Sequence, residues 1–244
     1  MEVLLDNRVA ENRLDTDALN RRFENSGTRK LIAAILAENP GKRIATVSSF
    51  GSNSVVLLHL ITSIDPGLPI IFVDTGKLFP ATLRYRDELA SRLGLTNIVV
   101  ARPNEMELTS ADPAGSLWMR DREACCNTRK VAPFQDALDG VDIWFSGRKR
   151  YQGGLRQNLP LFEADGKRLK INPLANWTSA DIEIYRNAFG LPQHPLVASG
   201  YRSIGCEPCT TPVGEGEDER AGRWRGLEKT ECGIHGIFEN GGGI

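Results

Sequence analysis

The residues most able to do chemistry in this chain are its five cysteines. Cys125 and Cys126 are adjacent, Cys206 and Cys209 form a C-x-x-C, and Cys232 stands alone near the end of the 244 residues. An odd number cannot close fully into disulfides. Clustered cysteines in a reducing compartment more often bind metal or exchange thiols than form structural bridges. The arithmetic suggests four ligands plus one reactive thiol. Four thiolates satisfy a closed zinc site or a four-iron cluster equally well, and burial with no ligand is the plain alternative. Neighbouring side chains on a helix or strand diverge, so Cys125 and Cys126 can serve one centre only on an unusual backbone. Cys232 lies in Lys229-Thr-Glu-Cys-Gly-Ile-His235. An unperturbed thiol, with a pKa of about 8.5, is mostly protonated at neutral pH. Lys229, His235, Arg220 and Arg223 would raise the thiolate fraction, and Glu231 opposes them.

A second group of residues suits an anion. Ser48-Ser-Phe-Gly-Ser-Asn-Ser54 sets hydroxyls and backbone amides at the start of an expected helix, where free N–H groups and the helix dipole favour negative charge. Its single glycine fits neither the dinucleotide fingerprint nor a Walker loop, and an ordinary strand-to-helix turn would also account for it. Asp74-Thr-Gly76 and Ser146-Gly-Arg148 each follow an expected strand. Arg148, Arg156, Arg220 and Arg223 offer the planar donor forks that phosphate and sulfate accept, although any one of them alone is more simply surface charge.

These residues need a scaffold. Helical spacing covers Leu14 to Phe23 and Leu31 to Leu36, with Asp15 and Thr28 as expected N-caps. Short apolar runs at Ile44–Val47, 69–73, 97–100 and 141–145 read as strands, alternating with helices over 55–61, 81–93 and 124–138. That alternation predicts an α/β fold with a mainly parallel twisted sheet flanked by helices. The loops after its strands should line one crevice. Thr178 and Asp181 stand in capping-box register for a later helix. Residues 1–213 are expected to form one α/β domain carrying the cluster cysteines. Residues 214–244, polar and glycine-rich, are expected to be a mobile catalytic segment.

Composition narrows the partners. Thirty basic residues against thirty-one acidic lack the excess that a nucleic acid polymer selects. Charges interrupt the first fifteen residues, and His59 interrupts the longest apolar stretch, so neither a signal peptide nor a membrane span is expected. The expected setting is the cytoplasm.

Four separated segments, in order from about Ala45 to His235, resemble the sulfonucleotide reductase family. They are the Ser48–Ser54 loop followed by Val-Val-Leu-Leu-His, then Phe72-Val-Asp-Thr-Gly-Lys-Leu-Phe79, then Cys125-Cys-Asn-Thr-Arg-Lys130 with Pro133 and the distant C-x-x-C, and finally KxECGxH. The resemblance implies an adenine nucleotide α-hydrolase-like fold with a modified pyrophosphate loop. It is closest to the family's iron-sulfur branch, the assimilatory adenosine 5'-phosphosulfate reductases. By that resemblance Cys125, Cys126, Cys206 and Cys209 would bind a 4Fe-4S cluster, and Lys130 would lie between cluster and substrate. It also implies that Cys232 would be the nucleophile, forming an S-sulfocysteine on the way to sulfite and AMP in sulfate assimilation and cysteine biosynthesis. Ser48, Ser49, Phe50, Gly51, Ser52, Ser54, Asp74, Thr75, Gly76, Gly147, Arg148, Arg156, Arg220, Arg223 and His235 would, on the same resemblance, contact the substrate. With four cysteines committed, no second thiol remains to resolve the adduct, so thioredoxin or a similar dithiol is the expected donor. The loop departs from the family at Ser52-Asn-Ser54, and Arg225 and Gly226 replace two of its aromatics. Three rivals stand beside this reading: a reductase of the 3'-phosphorylated substrate, an ATP-using thiolating relative, and a cluster-bearing redox sensor. A homo-oligomer is left open.

Overall fold

A computed structural model describes residues 15–235. The strands β1 (Ile44–Val47), β2 (Ile70–Val73), β3 (Ile98–Ala101), β4 (Ile143–Phe145), β5 (Phe162–Asp165) and β6 (Arg168–Ile171) form one sheet in the order β3-β2-β1-β4-β6-β5. Every pairing is parallel except that of β5 with β6. The first four strands agree with the apolar runs of the sequence to within two residues. The β5–β6 hairpin was not expected. Its strands interleave charged residues with apolar ones, and a two-residue turn with Gly166 at φ 61° joins them.

Both faces of the sheet are covered. Ile70 and Phe72 point into the larger core with α2 (Thr28–Glu38), α3 (Ser54–Thr62) and α4 (Pro80–Leu93), while Ile71 and Val73 pack with Phe134, Leu138 and Trp144 on the other side. Alternate side chains of β2 therefore feed two cores. This explains why Ile-Ile-Phe-Val is apolar throughout rather than alternating.

The helix ends follow their chemistry. Asp15 caps α1 (Thr16–Phe23) by accepting from the Ala18 amide at 2.8 Å. Thr178 and Asp181 form the expected capping box on α9 (Ser179–Ala188). Thr28 does not cap α2. Gly27 occupies that position, and the Thr28 hydroxyl instead joins Trp177 Nε1 and the Pro173 carbonyl, tying α2 to the segment before α9. After β3 come the short helices α5 (Glu105–Ala111) and α6 (Leu117–Arg120).

The helix expected over 124–138 is interrupted. It consists of α7 (Arg122–Cys126), a π-helical turn (Asn127–Val131) and α8 (Ala132–Ala137). Pro133 has no N–H to give, and the widened turn before it accommodates that loss. Cys125 and Cys126 themselves lie on regular helical backbone at the end of α7, and the π turn begins only at the next residue.

The chain builds β1, β2 and β3 outward in one direction, then crosses to place β4 on the other side of β1. Such a switch opens a crevice at the carboxyl ends of β1 and β4. Leu14 and residues 236–244, parts of an expected helix and of the expected mobile segment, lie outside the described residues.

Candidate active site

The crevice at the switch point has a volume of about 190 Å³. Ser48, Ser49, Gly51, Ser52 and Ser54 line it from the β1 end, and Gly147 and Arg148 from the β4 end. Lys130 reaches it from the π turn, while Arg156, Arg220, Arg223, Cys232 and His235 close it. Most of the residues nominated from sequence thus come together. Three hydrogen bonds set the first loop: Phe50 N donates to Ser48 Oγ, Gly51 N to Ser54 Oγ, and Ser52 Oγ to the Arg202 carbonyl.

Some nominated residues sit elsewhere. Phe50 turns its ring into the core, edge-on to Phe72 at 5.3 Å, so its side chain does not face the crevice. Its backbone takes φ 48°, a left-handed value it shares only with Trp224 among the non-glycine residues described. Both strained residues flank the site, where such strain commonly persists. Asp74 and Gly76 are also outside the crevice lining. Asp74 accepts from the Gly76 amide at 3.1 Å and pairs with Arg102 at 3.3 Å. Thr75 faces the cysteines, its hydroxyl 3.3 Å from Cys206 Sγ.

Cys125, Cys126, Cys206 and Cys209 line a second, smaller cavity together with Thr75, Trp118, Arg129, Lys130 and Trp224. Burial raises the pKa of Cys125, Cys126 and Cys209, and neighbouring cysteines add to the rise; Cys126 reaches about 11. Among the described residues, no set of three or more His, Cys, Asp or Glu converges tightly enough to hold a single metal ion. The thiols surround a volume instead. Two straps hold this arrangement: the Glu207 amide donates to the Lys77 carbonyl at 2.8 Å, and Arg129 donates to the Thr75 carbonyl at 3.0 Å. Arg129 also grips buried Asp112 through two donors at 3.0 and 2.7 Å.

The C-terminal segment then folds back over both cavities. The Thr211 amide donates to the Gly222 carbonyl and the Trp224 amide to the Cys209 carbonyl. Glycine is needed at position 222, since a Cβ there would lie 2.1 Å from the Thr211 oxygen. His235 stacks on Trp144 with centroids 5.8 Å apart, and its carbonyl accepts from Lys170.

Electrostatics favour an anion and a thiolate. Burial acts to raise the Cys232 pKa, but Lys130, the Ile234 amide and Arg223 outweigh it, and the net shift is downward. Glu231 opposes this, yet it is engaged by Arg156 and Arg220. Burial tends to lower the Lys130 pKa, but Cys206 and Cys232 raise it overall, keeping the ammonium charged. Burial takes Lys149 down to about 7 and Arg220 to about 10, and burial with the surrounding cations takes His235 well below its usual range. Buried Arg148 Nε, Arg223 Nε and His235 Nδ1 have no partner among the described residues, and buried polar groups are seldom left without one.

Sequence reasoning missed several residues here. Lys149 and Gln152 line the crevice beside Arg148, as do Arg202, Ser203, Ile204 and Gly205 just ahead of Cys206. The signal for Lys149 was its neighbours, since it lies inside Arg148-Lys-Arg150. Glu163 of the unexpected hairpin pairs with Arg148 and Lys170.

Comparison with known proteins agrees with this geometry. The structure superposes on phosphoadenylyl-sulfate reductase from Candida auris with a TM-score of 0.68 and 25% identity, covering 87% of this chain and all of that one. Yeast FAD synthetase superposes at 0.52 with 17% identity, over 82% of this chain and 69% of that one. The fold is therefore α/β and adenine nucleotide α-hydrolase-like. Within it, the model of the phosphoadenosine phosphosulfate reductase domain matches residues 43–212, and the chain belongs to that family. Adenosine 5'-phosphosulfate reductase of Chelativorans sp. is 55% identical over 192 residues, 79% of this chain and 78% of that protein. Phosphoadenosine 5'-phosphosulfate reductase of Alkalilimnicola ehrlichii is 38% identical over 228 residues, 91% of this chain and 92% of that protein. No helix among the described residues is long and apolar enough to cross a membrane.

Proposed function

We propose that the protein reduces adenosine 5'-phosphosulfate to sulfite and AMP. The observation that carries this reading is the position of Cys232: a thiol of lowered pKa in a crevice lined by Lys130 and several arginines, two of whose donors lack partners among the described residues. The Ser48–Ser54 loop and the start of α3 receive the nucleotide phosphate. Arg148, Arg220, Arg223 and Lys130 meet the sulfate and phosphate charge. His235, neutral in the native state, offers Nδ1 or its proton to the same ligand.

The reaction has two halves. The Cys232 thiolate attacks the sulfur of the phosphate–sulfate anhydride. The S–O bond to the phosphate breaks, AMP leaves with the electron pair, and Cys232 carries the sulfonate. A thiolate of an external dithiol, thioredoxin or one like it, then attacks Cys232 Sγ and releases sulfite. Its second thiol displaces Cys232, so the dithiol ends as a disulfide, oxidised by two electrons. The segment 214–235 closes for the first half and opens for the second.

The cysteine-lined cavity suits a 4Fe-4S cluster held by Cys125, Cys126, Cys206 and Cys209, since each iron takes one thiolate and the four must surround a volume rather than a point. A single tetrahedral zinc requires them to converge more closely. Bound there, the cluster supplies a charged centre beside Lys130. The reduced cysteines this demands fit the cytoplasm.

The relative from Alkalilimnicola favours a second reading, in which the substrate bears a 3'-phosphate. Anaerobic turnover of each nucleotide with reduced thioredoxin, reading sulfite, separates the two. The proposal expects the unphosphorylated nucleotide to be preferred in kcat/KM. Preference for the other supports the second reading, and sulfite from neither refutes both.

A further inference from the structure

We propose that Glu231 is a positioning residue, whose carboxylate clips the catalytic segment to Arg156 and so aims Cys232 into the crevice. This rests on the reading of Cys232 as nucleophile. Glu231 is the one carboxylate among the described residues lining a crevice otherwise furnished with lysine and arginine. A negative charge there weakens the binding of an anionic substrate and opposes the thiolate next to it, so its presence calls for another role.

The geometry supplies one. Arg156 Nε and Nη2 donate to the two Glu231 oxygens at 2.5 and 2.9 Å, a paired contact of fixed direction. The two side chains are 10% and 21% exposed, so water screens the contact little. Arg156 is itself held, its Nη1 donating to Gln152 Oε1 at 2.5 Å. It belongs to the body of the protein, whereas Glu231 directly precedes the nucleophile. Arg220 donates to the Thr230 carbonyl at 2.5 Å and lies 3.3 Å from Glu231, closing the clip from within the segment. The other ionic tie near Cys232 joins Lys229 to Glu123, and that glutamate is 74% exposed, where ion pairs contribute little. Arg156, expected from sequence to be a substrate ligand, thus acts through Glu231, with its fork taken by Glu231 and Gln152.

The test uses the holoprotein with Glu231→Gln, Glu231→Asp and the swapped pair Arg156→Glu with Glu231→Arg. Hydrogen exchange is followed by peptide, AMP affinity is measured, and single-turnover sulfonation is timed at saturating adenosine 5'-phosphosulfate. In Glu231→Gln, exchange over 220–235 should quicken by at least about tenfold while the β1–β4 peptides hold, as expected when a mostly buried pair loses one partner. Sulfonation should slow by on the order of 10²-fold, the effect of misplacing a reacting group by about 1 Å, with AMP affinity within a few-fold. Glu231→Asp should restore part of both, and the swapped pair should exchange more slowly than either single charge reversal. Unchanged exchange over 220–235 in Glu231→Gln overturns the clip. Quickened exchange with unchanged sulfonation overturns the aiming role. Wild-type protein that forms no adduct, while exchange still responds, removes the nucleophile reading and leaves the clip supported.

Discussion

Asp112→Asn is the substitution whose cost follows most directly from the structure. The Asp112 side chain is fully buried and that of Arg129 is 7% exposed. Its carboxylate accepts twice from Arg129 and once from the Leu117 amide at 2.8 Å. Asparagine keeps the shape and can still accept from Leu117, but it leaves the guanidinium buried without its counter-charge. Removing one partner of such a pair typically costs about 3–5 kcal/mol. In a chain of this size 1 kcal/mol moves Tm by about 2–4 °C, so a fall of roughly 6–20 °C is expected. Arg129 also holds the Thr75 carbonyl, and the Thr75 hydroxyl meets Cys206, so the proposed cluster should become labile as well. The assay is thermal unfolding by circular dichroism beside the visible absorbance of the anaerobic protein. The double variant Asp112→Leu with Arg129→Met should recover part of the lost stability, because it strands no charge. A loss under about 1 kcal/mol in Asp112→Asn would refute the claim that this buried pair braces the cysteine-lined cavity through Arg129.

Cys232→Ser should bind AMP normally and keep its visible absorbance while yielding no adduct and no sulfite; loss of the absorbance would place Cys232 among the ligands instead. Lys130→Met should move the pH midpoint of adduct formation upward, because Lys130 is the largest of the influences lowering the Cys232 pKa; a fixed midpoint, measured by single turnover across pH 6–10, contradicts this. Burial brings the Lys149 pKa down to about 7, and its ammonium, present below that pH, attracts anions. AMP affinity should therefore fall as pH rises through 7, by about tenfold for each unit by which the ligand raises that pKa. Calorimetric titration of Lys149→Met should show a flat profile over the same range.

What was legible in the sequence was local. Ile44–Val47, 69–73, 97–100 and 141–145 declare themselves as buried runs, and the loops behind β1 and β4 follow from strand–helix alternation. Asp15, Thr178 and Asp181 cap as their chemistry requires. The cysteines, and most of the basic residues nominated with them, gather at two adjoining cavities. The misses depend on contacts distant in sequence. Phe162–Asp165 and Arg168–Ile171 carry charges because Glu163 and Lys170 serve the site side of the sheet, which blurs their strand pattern. The π turn does not alter hydrophobic periodicity enough to be read. Thr28 has a capping side chain but is used across the chain by Trp177 and Pro173. Phe50 stands within an otherwise polar loop, and only the packing shows its ring pointing inward. The roles of Asp112 and Glu231 come from the arginines they meet, 17 and 75 residues away.

The central claim is that Cys232 takes the sulfonate. Protein purified without oxygen, incubated with adenosine 5'-phosphosulfate in the absence of any reductant, digested and weighed under denaturing conditions, tests it directly. The account predicts one added sulfonate on the peptide containing Cys232 and none on those containing Cys125, Cys126, Cys206 or Cys209. Nucleotide bound with no adduct, and the same result with the 3'-phosphorylated nucleotide, would contradict it.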